Sequence, residues 1–313
     1  MNERERIQGA LWGAVVGDAL GVPVEFVRRS ERVRDPVNSM RGGGTWNQPP
    51  GTWSDDSSLM LCTVEGLLDE FDPEVLAQRF VDWRHLQIWT PWGTTFDIGV
   101  ATRQALDRVG EGIPAEMAGG TSEYSNGNGS LMRILPVALR FPDDPVAELA
   151  EKCRRVSAIT HRHPRSQMAC TYYCLAARRL LNGELPRDAL GAAGREFETY
   201  YRGSSWREEL SHFRHLTSGE FAAWKEDEVQ SGGYVVHTLT ASFWCLLQTT
   251  SFREAVLRAV NLGEDTDTTG SVAGGLAGLV YGESGIPPEW IGALARKGDL
   301  EGLIHEFVGN VAI

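Results

Sequence analysis

The chain has 313 residues, of which 42% are hydrophobic and 23% charged, as in an ordinary soluble globular protein. Its length allows one large domain with a substantial core. The formal net charge of −12 argues against an extended surface for nucleic-acid phosphates or anionic lipids, but not against a small cationic pocket for one phosphorylated ligand. The five cysteines include no Cys-x-x-Cys pair, so we expect them to pack rather than to bind metal.

The start of the chain does not look like a targeting segment. Residues 1–6 are mostly charged, unlike a signal peptide, and no run of 18 apolar residues occurs. We therefore expect a cytoplasmic protein that does not enter a membrane. The sequence leaves the oligomeric state open, with a monomer as one alternative.

Apolar residues recur at helical spacing along the chain. Ile7, Leu11, Ala14 and Val15 share one face of a first helix, and Asp18 is the odd polar member of that face. Helix signals recur at the Asp72-Pro73 N-cap, in the stripe from Val146 to Val156, over 166–182 and 235–249, and at the capping box that begins at Ser251. Alternating strand patterns are nearly absent, so we predict an all-α fold and a single domain over residues 1–313.

Gly- and Pro-rich segments predict loops at 41–52, 110–120, 125–130 and 261–270. Gly270, Gly274, Gly275 and Gly278 also stand in an apolar run with helical character. Glycine is intrinsically unfavourable inside a helix, so these residues predict close contact with another helix.

Two acidic motifs, far apart in the chain, carry the clearest chemical signal. The first contains Ser54, Asp55 and Asp56, and the second contains Asp265, Asp267 and Thr268. Neighbouring carboxylates repel each other unless positive charge lies beside them. Carboxylate and hydroxyl oxygens suit one or two Mg²⁺ or Mn²⁺ ions, whereas zinc prefers the His and Cys ligands that both motifs lack. Solvated loops with capping Asp and Ser residues are the alternative.

The segment Ser125–Ser130 is rich in glycine and precedes an apolar run that begins at Leu131. A glycine-rich turn at a helix N-terminus offers free N–H groups and a positive dipole end to phosphate. A plain loop is the alternative, because the segment matches neither a P-loop nor a dinucleotide fingerprint.

Three more parts of the chain offer candidates for the site. Glu25 follows the first helix in a segment broken by Gly and Pro, where it could bind metal, act as a general base or face solvent. Asp97 could simply cap a helix. His161 and His163 form one His-x-His pair without further ligands, which indicates substrate hydrogen bonding or a structural role rather than zinc.

Together these residues resemble the ADP-ribosylglycohydrolase family, which includes the dinitrogenase-reductase-activating glycohydrolase and ADP-ribosylarginine hydrolases. The matching segments follow the family's order, and they are 9–21 with Glu25, 54–56, 96–99, 127–133, 160–161, 233–236 and 265–268.

The resemblance implies a compact all-α domain with a central binuclear Mg²⁺ or Mn²⁺ site. By this resemblance the metal ligands are Ser54, Asp55, Asp56, Asp265, Asp267 and Thr268. Glu25 corresponds to a loop glutamate near the metals, and Asp97 and His161 to residues near the ribose that is cleaved. The substrate-binding set also contains Asn128, Gly129 and Ser130, which cradle the diphosphate, Met132 of the same segment, and Tyr234, which stacks on adenine.

The resemblance further implies removal of ADP-ribose from a modified protein, with arginine as the expected acceptor. Glu25 or Asp55 would take a proton from water, while Asp97 would orient the ribose or protonate the leaving group. His237, where an acidic residue is expected in the nitrogenase-type group, leaves the acceptor open. The alternatives are a hydrolase for a serine or nucleobase acceptor, a two-metal nucleotide-diphosphate phosphohydrolase, and a non-catalytic ADP-ribose-binding protein.

Overall fold

The computed structural model describes residues 1–311, and in that range the chain is helical and has no β-strand. The all-α prediction is therefore confirmed. The helices are α1 Glu3–Gly21, α2 Arg29–Arg34, α3 Asp55–Gly66, α4 Pro73–Leu86, α5 Val100–Gly110, α6 Ala115–Ala118, α7 Leu135–Arg140, α8 Val146–Ala158, α9 Pro164–Leu181, α10 Pro186–Arg202, α11 Arg214–Thr217, α12 Val235–Leu247, α13 Phe252–Asn261, α14 Thr266–Tyr281, α15 Pro288–Ala293 and α16 Lys297–Val311.

Helices α4 and α13 begin where their capping residues predict. The Asp72 carboxylate accepts a hydrogen bond from the N–H of Glu74 at 2.9 Å, and the Ser251 hydroxyl accepts one from the N–H of Glu254 at 3.2 Å. The second half of the capping box is shifted by one residue, because the Glu254 carboxylate accepts from the N–H of Thr250 at 2.9 Å. Both helices therefore have satisfied N-termini.

Helices α1 and α14 form the centre of the molecule, and glycines allow them to touch. A Cβ placed on Gly17 would lie 2.0 Å from the carbonyl oxygen of Gly270, and one on Gly13 would lie 2.4 Å from that of Gly274. The predicted close helix–helix contact is confirmed. By length and mean hydropathy α1 could cross a membrane, yet 94% of that apolar window is buried inside the protein, so α1 packs as a core helix.

Three predicted boundaries are wrong. The loop predicted at 110–120 contains α6. Residues 261–270 are not all loop, because α14 already begins at Thr266. The chain after Ser130 does not enter a helix at Leu131, since residues 131–133 form turns and α7 begins only at Leu135. Pro136 in the first turn of α7 favours that later start, because its ring suits the first turn of a helix and not its interior.

Candidate functional site

Three helix ends meet at the candidate site. They are the C-terminal part of α1 with Asp18, the N-terminus of α3 with Asp55 and Asp56, and the N-terminus of α14 with Asp267. The Thr268 hydroxyl donates a hydrogen bond to Oδ2 of Asp56 at 3.1 Å, so the two acidic motifs are in direct contact. Helix N-termini carry partial positive charge, which favours carboxylates at these positions.

Asp18 holds the first motif in place. Its buried carboxylate accepts hydrogen bonds from the N–H groups of Ser54 and Ser57 at 3.0 Å and from the Ser57 hydroxyl at 2.5 Å. These bonds fix the first turn of α3 and thereby the direction of Asp55 and Asp56. Asp18 was not among the predicted site residues, although a carboxylate on an otherwise apolar helix face was the available signal.

The cluster offers oxygens to a cation. Glu25, Asp265 and Asp267 each present a carboxylate oxygen, and these three atoms lie within 4.8 Å of one another. Oδ1 of Asp56 and Oδ2 of Asp267 are buried without a hydrogen-bond partner among residues 1–311. Because an unpaired buried carboxylate is costly, the donor set and its orphaned oxygens fit a hard divalent cation.

The pKa values of the clustered carboxylates also fit a bound cation. Burial, followed by the charge of neighbouring carboxylates, raises the pKa of Asp55, Asp56 and Asp267 well above the usual range. Burial and then the charge of Asp97 raise the pKa of Glu25 to about 9. A cation beside these groups would lower their pKa values, because fixed positive charge favours the ionised carboxylate.

A cleft of about 280 Å³ opens above this cluster. Ten of the predicted site residues line it, namely Glu25, Asp55, Asp56, Asp97, Asn128, Gly129, Met132, His161, Asp265 and Thr268. The other four, Ser54, Asp267, Ser130 and Tyr234, lie outside its lining. Tyr124, which the sequence analysis did not single out, lines the cleft and is fully exposed.

Glu25 and Asp97 both line the cleft, and the charge of Asp97 contributes to the raised pKa of Glu25. The Trp46 indole N–H donates to Oε2 of Glu25, and the Trp46 ring lies 5.6 Å from that of Phe96. Asp97 has φ of 60°, which is unusual for a residue with a side chain. It is not a helix cap, since Gly99 precedes α5, so the capping alternative is wrong for Asp97.

The glycine-rich segment is fixed from several sides. The side-chain amide of Asn128 donates to Oδ2 of Asp265 and to the hydroxyl of Thr238, both at 2.9 Å, and its N–H donates to the carbonyl of Gly233 at 3.1 Å. The Ser130 hydroxyl faces the core, 2.8 Å from that of Ser157. No helix begins at Leu131, so no helix dipole contributes to phosphate binding at residues 125–130.

His161 and Tyr234 lie in different environments. His161 is buried at the cleft wall, and burial together with the charge of Arg133 lowers its pKa to about 3, so the imidazole is neutral. The Tyr234 hydroxyl accepts a hydrogen bond from Arg165 at 3.3 Å, and its ring meets His237 edge-on. His163 caps α9, where Nδ1 accepts from the N–H of Arg165 at 3.2 Å.

Fold and site together define a helical protein with an acidic, cation-competent cleft. The chain belongs to the ADP-ribosylglycohydrolase family, whose model matches residues 1–312. Over 305 residues it is 33% identical to the ADP-ribosylarginine hydrolase Tri1 of Pseudomonas putida, with 96% of this chain and 77% of that protein covered. The corresponding values for the ADP-ribosyl-(dinitrogen reductase) glycohydrolase of Rhodospirillum rubrum are 31% over 309 residues, 95% and 92%.

The fold is also shared with a solved structure. An ADP-ribosylglycohydrolase-related protein complex contains a chain with a TM-score of 0.83 and 33% identity to this protein, and the match covers 99% of both chains. This likeness extends over the whole described molecule and so includes every helix that contributes to the acidic cluster.

Proposed function

We propose that this protein hydrolyses the N-glycosidic bond between ADP-ribose and an arginine side chain of a modified protein. The observation that carries the proposal is the direct contact between the two acidic motifs at a cleft that also contains Glu25 and Asp97. The relatives named as ADP-ribosylarginine hydrolases support arginine as the acceptor. The products would be free ADP-ribose and the unmodified arginine.

We further propose that the cluster holds two divalent cations, Mg²⁺ or Mn²⁺. Their ligands would come from Ser54, Asp55, Asp56, Asp265, Asp267 and Thr268, with Glu25 close enough to join them. Such cations would polarise a bound water and the ribose hydroxyls. The orphaned oxygens of Asp56 and Asp267 support this assignment, because both need a positive partner.

The protein's own groups would then position and move protons. Glu25 or Asp55 takes the proton of the attacking water, whose oxygen bonds to C1 of the ribose as the C1–N bond breaks. Asp97 orients the ribose or gives a proton to the departing guanidine nitrogen. Since Glu25 and Asp97 both line the cleft and the charge of Asp97 raises the pKa of Glu25, the two carboxyl groups can divide these acid and base roles.

Replacement of a buried carboxylate by its amide tests the proposal. Asp267→Asn keeps the size of the side chain and removes the charge, so we expect release of ADP-ribose from an arginine-linked substrate to fall by about 100-fold or more. Asp188→Asn is the matched control, since Asp188 is an exposed residue in the first turn of α10. Full activity of Asp267→Asn, or full activity in excess chelator, would refute the metal-dependent mechanism.

The products and the acceptors separate this proposal from its alternatives. Arginine-, serine- and nucleobase-linked ADP-ribose are incubated with the protein and Mg²⁺ or Mn²⁺, and the products are separated. A glycohydrolase releases intact ADP-ribose, whereas a phosphohydrolase forms AMP and ribose phosphate. Binding of ADP-ribose without turnover of any substrate would instead identify a non-catalytic binding protein.

A further inference from the structure

Arg133 is a cation enclosed in the core. It is completely buried, and among residues 1–311 no carboxylate forms an ion pair with it. Its guanidinium lies 4.6 Å from the centre of the Phe80 ring. Nη1 donates to the carbonyl of Val156 at 3.3 Å, and Nη2 donates to the hydroxyl oxygen of Thr160 at 2.5 Å. Burial of a charge with so few hydrogen-bond partners costs free energy, so we expect Arg133 to have a role at this position.

The hydrogen bond to Thr160 has a direction that chemistry determines. A guanidinium can only donate, so the Thr160 oxygen accepts from Arg133. The same oxygen lies 2.8 Å from Nδ1 of His161. That oxygen keeps one lone pair and one hydrogen, and among residues 1–311 Nδ1 is the only acceptor within hydrogen-bond distance of the hydroxyl, so its hydrogen goes to Nδ1. His161 therefore accepts at Nδ1, and the neutral ring carries its proton on Nε2.

Nε2 of His161 faces the glycine-rich wall of the cleft. A Cβ placed on Gly127 would lie 3.4 Å from Nε2, and one on Gly129 would lie 2.8 Å from the adjacent Cε1. His161 lines the cleft, and Nε2 has no hydrogen-bond partner in the described part of the chain. Nε2–H is thus a donor at the cleft wall that has no acceptor among residues 1–311.

We propose that Arg133, acting through Thr160, fixes His161 as an Nε2–H donor to an oxygen of the bound substrate. Arg133 and Thr160 are then positioning residues, and the identity of that substrate rests on the proposed function. Burial, and second the Arg133 charge, lower the pKa of His161 to about 3, which agrees with a neutral donor. A neutral imidazole does not compete with a cation for the carboxylates of the cleft, as an imidazolium would.

The tautomer of His161 tests the proposal without any assay of activity. Two-bond ¹H–¹⁵N correlation spectra of protein labelled on its histidines distinguish Nδ1–H from Nε2–H, and His161→Gln assigns the signal. We expect the neutral Nε2–H form in the native protein. In Arg133→Met no cation disfavours a second N–H donor at the Thr160 oxygen, so a population with Nδ1–H should appear. Arg133→Lys retains a donor-only cation and should keep the native form.

Ligand binding supplies the second measurement. Thr160→Val removes the link while nearly keeping its shape, and Thr160→Ser keeps the hydroxyl. With Mg²⁺ present, we expect Thr160→Val to bind ADP-ribose about tenfold more weakly than Thr160→Ser, with the Nδ1 resonance of His161 shifted. Melting temperatures show whether each variant is folded, and a misfolded Arg133→Met leaves the Thr160 pair as the test.

The outcomes are distinct from those of the proposed function. The proposed positioning of His161 by Arg133 and Thr160 is overturned if the native protein carries Nδ1–H. It is also overturned if Arg133→Met and Thr160→Val both keep the native tautomer and the native affinity for ADP-ribose. A native Nε2–H form that is lost in Arg133→Met supports it, even if no arginine-linked substrate is cleaved. Failure of cleavage alone therefore rejects the hydrolase assignment and leaves the positioning of His161 by Arg133 and Thr160 intact.

Discussion

Addition of one methyl group at Gly17 should separate the two central helices. Alanine is a better helix former than glycine by about 1 kcal/mol, so intrinsic propensity predicts that Gly17→Ala stabilises α1. The packing predicts the opposite. The new Cβ would lie 2.0 Å from the carbonyl oxygen of Gly270 and 2.4 Å from its carbonyl carbon, where ordinary contact begins at 3.4 Å.

The expected loss of stability follows from how far these two contacts fall below 3.4 Å. Both clashing atoms belong to the backbone of α14, so no side chain can rotate away, and the helices must separate by more than about 1 Å. A gap of this size removes a quarter to a half of the dispersion energy along the contact, and overpacked cores lose about 1–3 kcal/mol or more. We expect a loss of about 3 kcal/mol and a fall in Tm on the order of 6–10 °C.

Thermal unfolding and metal titration together test this reasoning. Gly302→Ala is the control, because Gly302 is exposed in α16 and a Cβ there would meet nothing within 4 Å. It should show only the propensity gain. Gly17→Ala should also bind Mg²⁺ more weakly, since Gly17 precedes Asp18 and α14 carries Asp267. A Tm of Gly17→Ala at or above the native value, with unchanged Mg²⁺ affinity, would refute the packing argument.

Two further predictions concern the carboxylates. Burial raises the pKa of Asp18 to about 6 and that of Glu25 to about 9, so the folded, metal-free protein binds more protons than the unfolded chain, and its Tm in chelator should fall from about pH 5 to pH 9. Saturating Mg²⁺ should flatten that slope, and a Tm in chelator that is independent of pH contradicts the reasoning. Trp46→Phe keeps a ring beside Phe96 and removes the donor to Glu25, so kcat/KM should fall about tenfold with little change in Tm. Trp89→Phe, which removes an indole donor to a carboxylate outside the cleft, is its control and should be nearly silent.

The sequence predicted the parts of the fold that depend on local rules. Helical spacing and the caps at Asp72 and Ser251 are local, and α4 and α13 begin where these residues predict. The helix predicted at Leu131 did not form, and the reason is tertiary rather than local. An apolar run after a glycine-rich segment satisfies the helical pattern, but the chain there turns to bring Asn128 under the cleft and Arg133 into the core.

The chemistry of the site was only partly readable for a different reason. Carboxylates and hydroxyls in short motifs predict a cation site by composition alone, so the two acidic motifs could be found without a structure. The role of Asp18 depends on hydrogen bonds to Ser54 and Ser57 in another helix, and no local pattern encodes such a pairing. The link from Arg133 to His161 likewise exists only once α8 and the segment before α7 have packed together.

The glycine contact between α1 and α14 also determines where the carboxylate cluster lies. Gly9, Gly13 and Gly17 face Gly278, Gly274 and Gly270 in steps of four residues, so α1 and α14 run antiparallel with a fixed register. The series ends where a Cβ on Gly21 would meet the Cα of Asp267 at 2.4 Å. A slip by one helical turn would move Asp267 by about 5.4 Å, further than the 4.8 Å that now spans the oxygens of Glu25, Asp265 and Asp267. The glycines therefore set the position of the clustered carboxylates as directly as they set the packing of the core.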